Sequence, residues 1–85
     1  MSLFRLRAQL DEVDAELIRV LARRDAVVQE IWAWKQANGL ERIDPAREAE
    51  LRDRLLTQAE ALGLSRDAVS VILDRIIGVG LRSGD

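Results

Sequence analysis

The fold is decided by residues 3–39, which read LFRLRAQLDEVDAELIRVLARRDAVVQEIWAWKQANG. Apolar side chains recur along this stretch at alternating spacings of three and four residues, which is the period of one helix face. The members of this seam are Leu6, Leu10, Val13, Leu17, Val20, Val27, Ile31 and Trp34. Ser2 is suited to the N-cap position, and Asn38-Gly39 is suited to a helix C-terminus that ends with a residue in the left-handed conformation. The stretch predicts one helix from about residue 3 to about residue 38, about 50 Å long.

Two shorter helices are predicted to follow. Asp44-Pro45 joins a capping carboxylate to a proline suited to the first helical position, and Gly63 is suited to end that helix. Ser65 can cap a third helix, expected to fray near residue 82. The predicted apolar positions are Leu51, Leu55, Ala59 and Leu62, then Val69, Ile72, Leu73, Ile76 and Ile77. Gly78 and Gly80 are expected inside the third helix.

The predicted fold class is all-α, with one domain over residues 1–85 built from one long and two short helices. The short helices, each expected to be about half the length of the first, should fold back on each other at Gly63. They cannot then cover the whole seam of the long helix. We therefore expect an intertwined homodimer in which two long helices pack together.

Composition and charge narrow the function classes. The chain has no Cys and no His, which disfavours disulfides, soft metal sites and His-based acid–base catalysis. We therefore expect no metal and no cofactor. Thirteen basic and fifteen acidic residues give a net charge of −2, so no nucleic-acid or membrane partner is indicated. No stretch approaches the roughly 20 apolar residues of a membrane span, and the early charges argue against a signal peptide. A cytoplasmic location is expected.

Three cations stand out on the first helix. Arg24 falls in the seam register, where an apolar residue is expected, so it is a snorkelling arginine, a polar residue that sets the helix register, or a residue that binds a ligand. Lys35 follows eleven residues later and returns to within about 20° of the same face, about 16 Å further along the axis. Arg7 lies about 25 Å before Arg24, too far for one small ligand to touch both within a chain. In an antiparallel pair of long helices, the partner's Arg7 could approach.

A charged cluster opens the second helix. Asp44 is accounted for as a cap and Glu48 suits the positive end of a helix, but Arg47 opposes the helix dipole in the first turn. This placement indicates either an external ligand or an ion pair with Asp44 or Glu48.

Taken together, these residues resemble the all-helical, type II class of chorismate mutases. The resemblance rests on Leu6-Arg7, Val13-Asp14-Ala15-Glu16-Leu17, Leu21-Ala22-Arg23-Arg24, Ile31, Lys35, Asp44-Pro45-Ala46-Arg47-Glu48 and Ile76-Ile77. It implies three helices in an intertwined dimer that converts chorismate to prephenate in phenylalanine and tyrosine biosynthesis, with each site completed by the partner chain.

The resemblance also implies the roles of individual residues. Arg24 and the partner's Arg7 would hold the two carboxylates, Lys35 would reach the ether oxygen, and Glu48 would take the ring hydroxyl. Asp44 and Arg47 would shape that corner of the site. Candidates for the apolar walls are Val28, Ile31, Leu51 and Ile77. A Claisen rearrangement needs no nucleophile or metal; it needs the reactive conformer held and the developing charge stabilised.

Some positions depart from the family pattern. Gly80 and Gly84 stand where a hydroxyl and a glutamine or glutamate are common, and Trp32 and Trp34 replace small residues near Lys35. Two groups of alternatives therefore stay open. One is a sibling activity: an isochorismate pyruvate lyase or a 4-amino-4-deoxychorismate mutase. The other is a non-catalytic dimerisation or regulatory module for a shikimate-pathway enzyme, as a partner or as part of a longer chain.

Overall fold

The computed structural model describes residues 2–83 and contains three helices. They are α1, Leu3–Ala37; α2, Pro45–Ala61; and α3, Arg66–Asp74. The predicted all-α class with one long helix is confirmed. The chain is elongated, with principal extents of 56 × 27 × 16 Å, because α1 runs well beyond the other two helices.

Side-chain caps start all three helices, as the sequence predicts. Each capping oxygen accepts a hydrogen bond from the backbone N–H three residues later, which satisfies one of the otherwise free donors of the first turn. The capping residues are Ser2, Asp44 and Ser65, and each bond is 3.2 Å long.

Glycines in left-handed conformation end α1 and α2. Gly39 has φ +69° and Gly63 has φ +81°, which a residue without Cβ adopts at little cost. After α2, Gly63 N–H donates to Glu60 O and Leu64 N–H to Ala59 O, both at 3.0 Å. This pair of bonds is the Schellman motif, and the predicted turn at Gly63 is confirmed.

The third helix is shorter than predicted. It has 9 residues, about a quarter of the 35 in α1, and the chain leaves it before Gly78 and Gly80. The N–H groups of Arg75 and Ile76 bond to carbonyls three residues back, which tightens the last turn. Gly78 then takes φ +73° and turns the chain away. The prediction that Gly78 and Gly80 lie inside a helix was therefore wrong.

The core lies between α2 and α3. Leu56, Leu73 and Ile77 are its buried cluster. Leu51, Leu55, Val69 and Ile76 pack against this cluster. Leu62, predicted for the apolar stripe, is 74% exposed, because α2 ends at Ala61 and Leu62 belongs to the turn. Arg52 links the two helices further through Asp74, with Nη2 2.7 Å from Oδ1.

The first half of α1 stands clear of the rest of the chain. Every residue from 3 to 20 is exposed, including apolar seam members such as Leu10 and Leu17, at 58% and 54%. The second half, from Leu21 to Lys35, faces the α2–α3 unit. The partly buried residues of α1 all lie in this half. Within residues 2–83, no helix combines the length and apolarity needed to cross a membrane.

Candidate functional site

One cavity brings most of the predicted site residues together. It lies between the second half of α1, the start of α2 and the turn after α3, and has a volume of about 300 Å³. Pockets for small molecules begin at about this size. Its lining residues are Arg24, Val28, Ile31, Trp32, Lys35, Arg42, Asp44, Arg47, Glu48, Leu51, Ile77 and Gly78. The four predicted wall residues are all among them.

Arg24 is half-buried and bound to the end of α3. Its Nη1 donates to Ile76 O at 3.0 Å, on a carbonyl left without a helical partner where α3 has ended. A guanidinium has five N–H donors in a planar fork, so this bond fixes the side chain and leaves donors for a ligand. Two observations thus explain why an arginine occupies this seam position: its side chain binds Ile76 O, and it lines the cavity.

Lys35 lies further along the same cavity, as the eleven-residue spacing predicts. Its Nζ donates to Arg42 O at 3.2 Å, which uses one of three ammonium donors. Arg42 itself lines the cavity, with Cζ 4.1 Å from the centroid of the Trp32 ring, a cation–π arrangement that orients the guanidinium. Sequence reasoning missed Arg42, because helical periodicity says nothing of where a loop residue points.

The start of α2 supplies the acidic residues that line the cavity, Asp44 and Glu48. Asp44 is the N-cap, and Arg47 lies 3.9 Å from Glu50, with both side chains mostly exposed. One of the two alternatives for Arg47 was an ion pair with Asp44 or Glu48; the ion pair that Arg47 makes is with Glu50. Such an exposed pair contributes little stability. Glu48 is half-buried and lies against Gly78, where an added Cβ would come 2.9 Å from Glu48 Oε1.

The remaining candidates lie elsewhere. Arg7 is exposed on the free half of α1, seventeen residues before Arg24 on the same helix, and does not line the cavity of its own chain. Trp34 is 62% exposed and lies outside the cavity wall, so of the two tryptophans only Trp32 lines the cavity. Gly80 is half-buried on the segment after Gly78. Gly84 lies outside the described residues.

A second, more open cavity of about 430 Å³ lies beside the free half of α1. Its walls are Ile18, Leu21, Ala22, Asp25, Leu81 and Arg82. The polar groups there bind one another: Leu81 N–H donates to Asp25 Oδ1 at 2.9 Å, and Arg82 Nε lies 3.7 Å from Asp25 Oδ2. Because these groups are already paired, the cationic cavity is the stronger candidate site.

Comparisons with known proteins identify one family and two similar proteins. The profile described as Chorismate mutase type II matches residues 6–83. The T-protein of Enterobacter agglomerans is 38% identical over 72 residues, and the T-protein of Haemophilus influenzae is 32% identical over 72 residues. Each match covers 85% of this chain and 19% of the relative, so the chain spans about a fifth of the length of these curated relatives. No solved structure gives a significant match.

Proposed function

The chain belongs to the type II chorismate mutase family, and from that premise we propose that it rearranges chorismate to prephenate as an intertwined homodimer. The observation that carries the proposal is the cavity itself. The cavity is lined by cations from α1, from the α1–α2 connection and from α2, by the half-buried Glu48, and by aliphatic side chains and Trp32. A dianion that carries a hydroxyl group matches this arrangement of charge.

The chemistry suits what these residues offer. In the rearrangement one C–O bond breaks as one C–C bond forms, so no proton transfer or covalent intermediate is needed. Rate comes from holding the compact conformer and from stabilising the charge that develops on the ether oxygen. Lys35 is the proposed hydrogen-bond donor to that oxygen, Arg24 is proposed to bind a carboxylate, and Glu48 is proposed to accept a hydrogen bond from the ring hydroxyl.

The hydrogen bonds of the two main cations support these roles. Arg24 is held by Ile76 O and Lys35 by Arg42 O, so both are oriented before any ligand arrives. Preorganised donors cost little reorganisation at the transition state. Each still has N–H groups to spare, because one backbone carbonyl uses only one of five or one of three.

The exposed half of α1 supports the dimer. A stripe of large exposed apolar side chains marks an interaction surface, and this stripe runs along the half of α1 that extends beyond α2 and α3. Arg7 lies within it, about 25 Å from Arg24 along the helix axis. We propose that the partner's α1 runs antiparallel here and that each Arg7 completes the site of the other chain.

The first experiment follows the loss of chorismate absorbance and identifies the product. We expect prephenate at an enzymatic rate, abolished in large part by Lys35→Ala, since removal of one preorganised donor costs about 10²–10³ in rate. Pyruvate released from isochorismate in a parallel assay would instead assign an isochorismate pyruvate lyase. A folded protein that consumes no chorismate would overturn the proposal.

A complementation test addresses the shared site. Arg7→Ala and Lys35→Ala chains are each expected to be nearly inactive, yet after refolding of a 1:1 mixture half of the dimers should be mixed. Each mixed dimer has one intact site, so about a quarter of the wild-type activity should return. Arg5→Ala, an exposed arginine on the same helix, is the control and should leave activity unchanged. No recovery on mixing would contradict a site built from two chains.

A further inference from the structure

We infer that Asp25 is a positioning residue for the proposed site, because it fastens the segment after α3 to α1. The inference rests on the proposed function and adds a residue outside the cavity. Among the described residues Asp25 is the one buried polar or charged residue, with 6% of its surface exposed. A buried carboxylate is costly unless its oxygens are bonded, so the contacts that satisfy it indicate what it does.

Those contacts all come from the far end of the chain. Asp25 Oδ1 accepts from the backbone N–H of Leu81 at 2.9 Å, across 56 residues of sequence. Arg82 Nε lies 3.7 Å from Oδ2, but the Arg82 side chain is 56% exposed, so that ion pair contributes little. The bond from Leu81 is therefore the main attachment, and it is charge-assisted and partly buried.

Arg24 makes the matching attachment on the other side. It binds Ile76 O at 3.0 Å, so two successive residues of α1 fix the chain at positions 76 and 81. Between these points the chain turns at Gly78, with φ +73°. Ile77 and Gly78 line the cavity, and Gly78 lies against the Glu48 carboxylate. The cavity wall is thus a short span of chain held at both ends by α1.

Loss of the second attachment would reach the reacting groups through this span. Without an acceptor at position 25 the Leu81 N–H loses its bond, and the wall is held at Ile76 alone. Arg24 and Glu48, which both contact that wall, then lose a fixed neighbour. A displacement of about 1 Å in positioning groups can cost about a hundredfold in rate. Asp25 acts through the wall and touches no substrate.

The test compares Asp25→Ala with Asp25→Asn in the full chain. The alanine variant should lower kcat per folded dimer by about 10- to 100-fold. The asparagine variant keeps a carbonyl oxygen that accepts from Leu81 N–H, so it should retain most of the rate. Glu30→Ala, an exposed acidic residue on the same helix, is the control and should behave as wild type. Circular dichroism and size-exclusion chromatography confirm that the compared proteins are folded.

Leu81→Pro is the second route, since it removes the donor at the end of the described chain and leaves α1 intact. It should lower kcat as Asp25→Ala does. If either folded variant keeps wild-type kcat and loses only thermal stability, Asp25 is a structural residue and the inference fails.

A separate readout keeps the inference distinct from the proposed function. Exchange of the Leu81 amide with solvent, followed by NMR, should be slow in wild type and Asp25→Asn and fast in Asp25→Ala. If the wild-type protein consumes no chorismate, the proposed function fails. Amide exchange at Leu81 still tests whether Asp25 holds the segment after α3. Equal exchange in wild type and Asp25→Ala would overturn the attachment itself.

Discussion

Gly78→Ala is the substitution whose effect can be worked out most fully from the structure. Gly78 has φ +73°, and placing an L-residue in that region costs about 1–2 kcal/mol. The new Cβ would lie 2.9 Å from Oε1 and 3.1 Å from Oε2 of Glu48. Carbon and oxygen atoms in contact keep about 3.5 Å apart, so the carboxylate must move by roughly 0.5 Å.

Two separate losses should follow. The free energy of unfolding should fall by about 1–2 kcal/mol, which for a domain of this size lowers Tm by about 4–8 °C per kcal/mol. Because the carboxylate is the far end of a flexible side chain, the steric clash adds little to this cost. The displaced Glu48, however, no longer meets the substrate hydroxyl in its proposed position. We expect kcat/KM to drop by about tenfold or more.

Gly63→Ala is the matched control. Gly63 has φ +81°, and within the described part of the chain no atom lies within 4 Å of an added Cβ. It should therefore lose similar stability and keep its turnover. Both variants are measured by thermal unfolding and by chorismate consumption well below Tm, per folded dimer. Wild-type turnover in Gly78→Ala, or equal inactivation in Gly63→Ala, would refute the link between the turn and Glu48.

Three further predictions follow from the same contacts. Arg24→Ala should remove most of the activity while the dimer stays folded, whereas Arg23→Ala, its exposed neighbour outside the cavity wall, should not; equal rates in the two variants would contradict the assignment of Arg24. Arg42→Ala removes a cavity cation stacked on Trp32, so KM for chorismate should rise several-fold with kcat nearly unchanged, since Arg42 is expected to bind the substrate equally in the ground state and the transition state; steady-state kinetics measure this, and an unchanged KM would exclude Arg42 from binding. Leu10→Asp puts a charge into the exposed stripe of α1 and should dissociate the proposed dimer and abolish activity, with size-exclusion chromatography coupled to light scattering as the measurement; an active dimer would contradict the proposed interface.

The helix boundaries that sequence reasoning located are those set by local chemistry. The first turn of each helix is capped by the residue just before it: Ser2, Asp44 or Ser65. The end of α1 at Gly39 is fixed by backbone hydrogen bonds to residues of the same helix. The end of α3 is different. Ile76 and Ile77 keep helical spacing in the sequence, yet the Ile76 carbonyl bonds to a distant arginine, which periodicity cannot reveal.

The residues of the candidate site fall into the same two groups: those placed by the geometry of a helix and those placed by contacts with distant parts of the chain. Arg24 and Lys35 line one cavity because eleven residues return a helix to nearly the same face, and this spacing is visible in the sequence. Arg42 reaches the cavity only because its loop folds over Trp32. Asp25 resembles any acidic residue on a solvated helix until Leu81 is brought against it. Helical spacing predicted that Arg24 and Lys35 lie together, and the family resemblance predicted Asp44, Arg47 and Glu48. Neither could predict Arg42 or Asp25, because their contacts depend on where a loop and the segment after α3 fold.

The two halves of α1 explain why an arginine occupies the seam. Residues 3–20 are exposed along a continuous apolar stripe, and a partner helix there would favour an apolar residue at each seam position. Arg24 is the first seam position beyond that proposed interface, and its side chain lines the cavity. A guanidinium in this place costs desolvation, which the Ile76 carbonyl offsets in part and which a substrate carboxylate would offset further. An apolar residue at position 24 should therefore give a folded dimer that no longer binds chorismate.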